Sequence, residues 1–395
     1  TISPSDEFED NSNVPHLTYL QIFIIFLKFG FQAFGGPMAQ IALIKEELVT
    51  KQAWITHARF NRVFGVYQII PGPEAMELAQ FFGYLAGGRF GGLLGGLGFL
   101  LPGFALVLLF SYIYVAVGLR NKHFNASFRA LQPIVAAMMM RAVNKIGEHA
   151  LMCHKTKTLN YWLFSLAFLS AIQSAFRVNY FITLFGIGLI YMIIDRKYYW
   201  VAGSFILLEV VGYVIYVVFK GFPSPLSFGL GITPTPDPGH IFALGLVSGS
   251  LSFGGAYTTI PIIQAEAVTI GKWLSPQSFL DMIAIGNIMP APLVMFSTGI
   301  GFQAGYIYKE NYGYAFLEGT LISIGIVFPC FVFTIMGHHL LEKLVQNKLL
   351  AAFFEGISAA VVGVVAITAL ELLKTSITTS LLLRDVSENE KGILL

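Results

Sequence analysis

The chain has 395 residues, of which 55% are hydrophobic, 14% aromatic and only 12% charged, against about 25% charged in an ordinary soluble domain. The formal net charge is +2 and the basic residues are scattered over short loops, so there is no basic stripe for nucleic acid; the two cysteines, Cys153 and Cys330, lie far apart and offer neither a disulfide framework nor a thiolate metal site. What remains is an all-α polytopic membrane protein, because a helix needs roughly 20 apolar residues to cross a hydrocarbon core about 30 Å thick.

Residues 1–16 form a polar, acidic N-terminal tail without the basic-then-apolar pattern of a cleavable signal peptide. A span is expected at 17–35, followed by a broken element at 36–59 and an apolar region at 60–88 that "PGP" interrupts at 71–73. Two further spans, 91–117 and 127–148, complete a first unit at 17–150. Residues 151–219 hold three plainer hydrophobic segments, Tyr161–Phe176, Tyr180–Ile194 and Trp200–Phe219. The stretch 220–239 is rich in proline and glycine and reads as a linker. A second unit at 240–374 includes the runs Tyr312–Met336 and Phe354–Leu373, and 375–395 is a polar C-terminal tail. The total is about 10–11 hydrophobic segments, several of them broken.

The two units are repeats. Sliding the chain by 219 residues lays Phe34-Gly35-Gly36 on Phe253-Gly254-Gly255, Glu47 on Glu266, Trp54 on Trp273, Phe60 on Phe279, and Pro71 and Pro73 on Pro290 and Pro292, with thirteen identities over forty positions and no gap. With small gaps, Gly83-Tyr84 matches Gly305-Tyr306, Leu101-Pro102 matches Phe328-Pro329, and "RALQPIVAA" parallels "FFEGISAAV". Internal repeats with paired interruptions are the sequence mark of secondary transporters. An odd number of spans between the units predicts an inverted arrangement.

Glycine pairs and prolines stop the intrahelical hydrogen-bond ladder. In lipid the freed backbone groups persist only where they are buried in protein or line a cavity, and a helix start with free N–H groups favours an anion. The candidate substrate-binding residues are therefore Gly35, Gly36, Pro37, Pro71, Gly72, Pro73, Gly254, Gly255, Pro290 and Pro292, with Gln68 and Asn287 in the stretches leading into the proline breaks. Packing is the competing explanation, and it is the preferred one for "GGLLGGLGF" at 91–99, since small residues let helices approach closely.

Lys28 lies shortly before the first glycine pair and is a candidate anion ligand, with pairing to a carboxylate such as Glu47 as the alternative. Glu74 and Glu77 share a helix face and are expected either to pair with Arg59, Arg62 or Lys45 or to couple protons to transport; Glu47 and Glu266 are further coupling candidates. Arg141, Glu209, Glu318 and Glu355 suggest only pairing. Met138-Met139-Met140 reads as packing or lipid-facing surface. His338 and His339 lack metal-ligand spacing. No phosphate-binding loop is present, nor a nucleophile, base and orienting group, so neither an enzyme nor a cofactor nor a metal is expected.

These residues resemble a known family. "KFGFQAFGGPMAQIALIKEELV", Trp54 and "YQIIPGPEAMELAQFFGYLAGGRFGGLLGGLGFLLPGF" are similar to the signature of the chromate ion transporter family, and "SLSFGGAYTTIPIIQAE", "MPAPLV" and "FPCFVF" are similar to its paired repeat. The resemblance implies a proton- or potential-driven carrier of chromate, a tetrahedral dianion close in shape to sulfate. The second repeat departs from the first with Ala291 in place of Gly72 and Ala256 in place of Pro37, so the half-sites are expected to be unequal.

The leading expectation is a secondary active transporter of an oxyanion, chromate by efflux or a sulfate-like anion. Alternatives are an anion channel or a sulfate importer and, from another class, a membrane-embedded enzyme or scaffold. Expected partners are the oxyanion, the lipid bilayer and a second copy in a homodimer, with no nucleic acid.

Overall fold

The computed structural model describes residues 13–67, 71–118, 122–152, 158–222, 235–253, 255–336 and 347–393. Fourteen α-helices occur among them: α1 (Tyr19–Gln32), α2 (Pro37–Ile44), α3 (His57–Tyr67), α4 (Glu74–Ile113), α5 (Lys122–Ala150), α6 (Tyr161–Ala175), α7 (Tyr180–Asp195), α8 (Tyr199–Lys220), α9 (Pro238–Ser250), α10 (Thr259–Gln264), α11 (Pro276–Ile288), α12 (Phe296–Lys309), α13 (Tyr312–Phe331) and α14 (Lys348–Ile393). Among the described residues, four helical stretches are long and apolar enough to cross a membrane: Glu74–Val117, Tyr199–Lys220, Tyr312–Met336 and Lys348–Thr378. The helix α14 runs on through the polar stretch assigned from sequence to a C-terminal tail.

The repeats fold alike. α1, α2, α3, α4 and α5 correspond in order to α9, α10, α11, the pair α12 and α13, and α14. The one difference in count lies inside α4, which kinks at Gly87 and Gly88; Gly88 has φ +65°. In the second unit the chain breaks there into α12 and α13, with Glu310 left-handed at φ +50°.

Equivalent glycines make equivalent contacts. A Cβ on Gly30 of α1 would fall 2.6 Å from the Phe99 carbonyl of α4, and Gly249 of α9 abuts the Ile326 carbonyl of α13. Likewise a Cβ on Gly98 would lie 2.7 Å from the Phe23 carbonyl, and one on Gly325 2.5 Å from the Phe242 carbonyl. Each first helix is thus packed backbone to backbone on the long helix of its own unit, which only glycine permits. The segment at 91–99 does the same within α4: Gly95 presses on the Ala79 carbonyl across the kink, in line with its reading as packing.

The turn after each broken element is also shared. Both α2 and α10 run into a π-helical turn, Lys45–Lys51 and Ala265–Ile270. Trp54 N–H then donates to Leu48 O and Trp273 N–H to Ala267 O, each at 2.9 Å. Ala53 and Lys272 hold matching left-handed φ values of +50° and +51°. In the first unit Lys51 and Gln52 bind the two carboxylate oxygens of Glu47 and Gln52 accepts from the Trp54 indole.

α6 and α7 pack on α14 and α8 packs on α7. α8 buries Ala202 and turns apolar side chains such as Trp200, Leu208 and Phe219 outward.

Candidate functional site

Six of the described helix starts carry a side-chain cap, while α8, which follows Tyr198, starts without one. Thr18, Asn160, Asn179, Asp237, Ser275 and Asn311 cap α1, α6, α7, α9, α11 and α13 by accepting backbone N–H groups with their side chains, the ordinary way to satisfy the orphan donors of a helix N-terminus. At the four breaks the chain uses no such cap. Gly36 precedes α2, Pro73 precedes α4, and Gly255 and Pro292 precede the short 3-10 turns that lead into α10 and α12, all without a side-chain cap.

The glycines at the breaks are required by the backbone. Gly35, Gly36 and Gly255 have φ of +89°, +80° and +107°, a region that costs other residues strain. Gly254, and Gln68 before the first Pro-x-Pro, lie outside the described residues.

The breaks of one unit touch those of the other, and they do so reciprocally. Gly72 N–H donates to Ser252 O at 3.4 Å. The positions equivalent to Ser252 and Gly72 are Ala33 and Ala291, and here the Gln40 side-chain amide bridges, donating to Ala33 O at 2.9 Å and Ala291 O at 2.8 Å. A Cβ on Gly72 would lie 3.3 Å from Cys330 Cβ, while the equivalent pair, Ala291 and Gly103, touches at the backbone. Reciprocal contacts of this kind are what a two-fold relation between two like units produces.

The junction gathers most of the residues named from sequence. Pro71, Gly72, Pro73, Gly255, Pro290 and Pro292 are buried in it. A Cβ on Gly36 would lie 3.8 Å from the Tyr257 hydroxyl, and one on Gly255 3.5 Å from Oε1 of Glu74. Pro37 is the first residue of α2. Asn287 donates to Ile283 O at 2.9 Å, and its Oδ1 is buried without a hydrogen bond. Glu77 is fully buried, and neither carboxyl oxygen has a hydrogen-bond partner.

Other named residues sit elsewhere or are otherwise engaged. Lys28 is exposed on α1. The suggested Lys28–Glu47 pair is not formed: Glu47 pairs with Lys51 at 3.1 Å, one turn along. Glu266, its equivalent, is buried. Lys45 lies over the Phe60 ring at 5.3 Å. The electrostatic pull on Glu74 comes from Lys145 of α5 and not from Arg59, Arg62 or Lys45, the partners expected from sequence. Glu209 accepts from the neutral side-chain amide of Gln173 at 2.9 Å.

Sequence reading passed over Lys145 and gave its neighbour Arg141 only a pairing role. They stand one turn apart on the exposed face of α5, and Arg141 reaches Tyr257 electrostatically. α5 is tied to α11 by a buried network in which Gln132 Nε2 donates to Oδ1 of Asp281 at 3.0 Å and Tyr114 donates to Oδ2 at 2.7 Å.

Two like units, broken helices and a junction formed by the breaks define an integral, multi-pass membrane protein with the architecture of a repeat-built transporter. The chain belongs to the chromate transporter family, whose sequence profile matches residues 20–193 and 239–388. It is similar to the chromate transport protein of Pseudomonas aeruginosa, 36% identical over 362 residues that cover 92% of this chain and 83% of that protein. It is also similar to the chromate transport protein of Cupriavidus metallidurans, 25% identical over 92% of this chain and 84% of that one, and to a probable chromate transport protein of Synechococcus elongatus, 25% identical over 89% of this chain and 84% of that one. No solved structure matches it.

Proposed function

We propose that this protein is a secondary active transporter that moves chromate outward and accepts other tetrahedral dianions of sulfate-like shape, with the junction of the four breaks as its substrate site. The carrying observation is the reciprocal contact between the breaks, Gly72 with Ser252 and Gln40 with Ala33 and Ala291. It brings helix starts without side-chain caps from both units to one place. N–H groups at such starts favour an anion, and a doubly charged oxyanion rewards several converging donors more than a halide does.

In this reading Gly35, Gly36, Gly254 and Gly255 let the backbone approach the ion, and the prolines with Gln68 and Asn287 shape the walls. Glu74 and Glu77, which border the junction, are the foremost coupling residues. Glu47 is held by Lys51 and Gln52, which favours a structural part for it. The repeats are taken to be inverted, so that rocking of one unit on the other exposes the site to alternate sides. The reciprocal contacts support a two-fold relation, and an axis in the membrane plane is the form that inversion requires.

The test is flux of radiolabelled chromate and sulfate into proteoliposomes holding the purified full chain, with and without a pH gradient and a membrane potential. Saturable flux that responds to either gradient and is inhibited by sulfate but little by chloride is expected. Flux that does not saturate marks a channel, and absence of flux for both oxyanions overturns the reading.

A further inference from the structure

Against the first Pro-x-Pro break lies a group of polar side chains drawn from both repeats. A Cβ on Gly72 would fall 2.5 Å from Oε1 of Glu77 and 3.3 Å from Cβ of Cys330. Gln80 shares a face of α4 with Glu77 and donates from Nε2 to Sγ of Cys330 at 3.3 Å. Thr334 follows Cys330 by four residues, on the π-helical turn that continues α13 and packs on α4. All four side chains are buried. Yet both carboxyl oxygens of Glu77, Oε1 of Gln80 and the Thr334 hydroxyl lack a hydrogen-bond partner.

The second repeat builds the same place without such a group. In the register that lays Leu101-Pro102 on Phe328-Pro329, the counterparts of Cys330 and Thr334 are Gly103 and Val107. A Cβ on Gly92 would lie 3.1 Å from the Gln80 carbonyl and one on Gly319 3.0 Å from the Thr298 carbonyl, so Thr298 stands where Gln80 does. Thr298 is satisfied, because its hydroxyl lies 2.7 Å from that of Ser323, which donates to Gly319 O at 2.6 Å. The position of Ser323 is held in the first repeat by Gly96, where a Cβ would press to within 2.7 Å of Cγ of Gln80. Gly96 thereby lets the longer side chain pass to Cys330. The place of Glu77 falls at Met295 and Phe296, both buried and apolar. The junction folds without these polar atoms, and an unpartnered carboxylate away from water is costly, so their presence on one side calls for a ligand.

The open atoms define its charge. The carboxylate oxygens and the Gln80 carbonyl oxygen only accept, which repels a dianion and suits a positive charge. No hydrogen-bonded neighbour supplies that charge. Besides Glu74 and Arg89 on α4 itself, the helices packed on α4 carry Lys28 (α1), His57, Arg59 and Arg62 (α3), Asp281 (α11), Lys309 (α12) and Glu318 (α13), and none of them is bonded to either oxygen of Glu77. Coupling-ion sites of secondary transporters lie at the interface of the repeats, beside broken helices.

Resting on the transporter reading above, we propose that Glu77, Gln80 and Thr334 form the site of the coupling ion, a monovalent cation that neutralises Glu77, with Cys330 as the residue that positions Gln80. The site is apart from the uncapped helix starts that suit the dianion. It joins α4 of the first repeat to α13 of the second, so the cation is bound only in arrangements that keep those two helices together. The plainer alternative is a carboxyl that stays protonated and serves packing alone, which predicts no response to any cation.

The experiment measures thermal stability of the purified full chain as Na+ replaces choline at constant ionic strength, and separately as pH is varied from mildly acid to mildly alkaline, for wild type, E77Q, Q80L, T334V and the control T298V. Labelled chromate flux under a Na+ gradient or a pH gradient is recorded alongside. Wild type should be stabilised by one of the two cations. An effect of Na+ at fixed pH marks sodium, and an effect of pH that E77Q removes marks the proton. E77Q should lose this stabilisation and keep that given by sulfate. Q80L and T334V should each require about 10-fold more of the cation, the scale of one lost contact to a charged group, or one pH unit where the cation is the proton. T298V should respond as the wild type does.

An equal response of wild type and E77Q to both cations, or wild-type cation affinity in both Q80L and T334V, overturns this assignment and leaves the transporter reading standing wherever chromate flux persists. Absence of wild-type flux for chromate and sulfate overturns the transporter reading, whatever the cation does to stability.

Discussion

Gly103 of α4 lies against Ala291 of the second Pro-x-Pro break so closely that a Cβ on the glycine would fall 2.6 Å from the alanine Cα. At the equivalent place in the other half the sizes are exchanged. Gly72 occupies the break and Cys330 occupies the long helix, with 3.3 Å between a Cβ on the glycine and that of the cysteine. The departure of Ala291 from Gly72 is thus compensated across the junction, one side chain being accommodated per pair.

A swap follows from that compensation. Gly103→Cys alone should lower stability by about 1–3 kcal/mol through overpacking and reduce flux, whereas Gly103→Cys combined with Ala291→Gly rebuilds the arrangement of the other half and should recover most of the loss. The readout is a double-mutant cycle in thermal stability and flux. Additive losses would show that the two positions do not share one space.

Much of this arrangement is written in the sequence because backbone needs leave few residue choices. Gly36 and Gly255 are legible since φ near +80° to +107° all but demands glycine, and the cap residues Thr18, Asn160 and Ser275 precede apolar runs in the usual way. The kink at Gly87-Gly88 was hidden within a stretch rich in glycine, where packing glycines and a turning glycine look alike. The partner of Glu74 was illegible for another reason. Lys145, which acts on Glu74 electrostatically, lies far along the chain on α5, where no local pattern points to it.

Asp281 should matter for stability more than for chemistry. It accepts from Gln132 and Tyr114 in a buried setting, and hydrogen bonds to a charged group contribute about 1.5–3 kcal/mol each. Asp281→Ala is expected to lower the melting temperature strongly and to loosen α5, seen as faster amide exchange over residues 130–146. Unaltered stability in this variant would mean that α5 is held by apolar packing alone.

The start of α9 should be sensitive to acid. Asp237 accepts from the backbone N–H and the ring of His240, and these bonds hold its carboxyl below the ordinary carboxylate range. A lowered value in the folded state means that the cap is fully present above the unfolded value, about 3.9, and is lost as pH falls through the folded one. Amide protection at His240 should therefore be constant from pH 7 to about 5 and decline below about 4, and Asp237→Ala should abolish this dependence. Protection that stays constant throughout the acid range would remove Asp237 from control of this turn.

Removing the buried carboxyl beside the first Pro-x-Pro break tests the coupling role. Glu77→Gln keeps the size of a side chain that has no hydrogen-bond partner, so folding should be preserved. Chromate binding should persist while the acceleration of flux by a pH gradient is lost. A gradient response equal to that of the wild type would remove Glu77 from the coupling step.

The most direct measurement is radiolabelled chromate flux by monodisperse wild type, Gly36→Val, Gly255→Val and Gly95→Val in proteoliposomes, each checked for folding and insertion. A β-branched residue at φ near +80° or +107° carries backbone strain of about 1–3 kcal/mol and places its side chain at the junction. Gly36→Val and Gly255→Val should each insert and lose flux, whereas Gly95→Val, which drives a Cβ to within 2.6 Å of the Ala79 carbonyl, should act through expression and stability. Normal chromate flux through both Gly36→Val and Gly255→Val would contradict the assignment of the breaks to the substrate site.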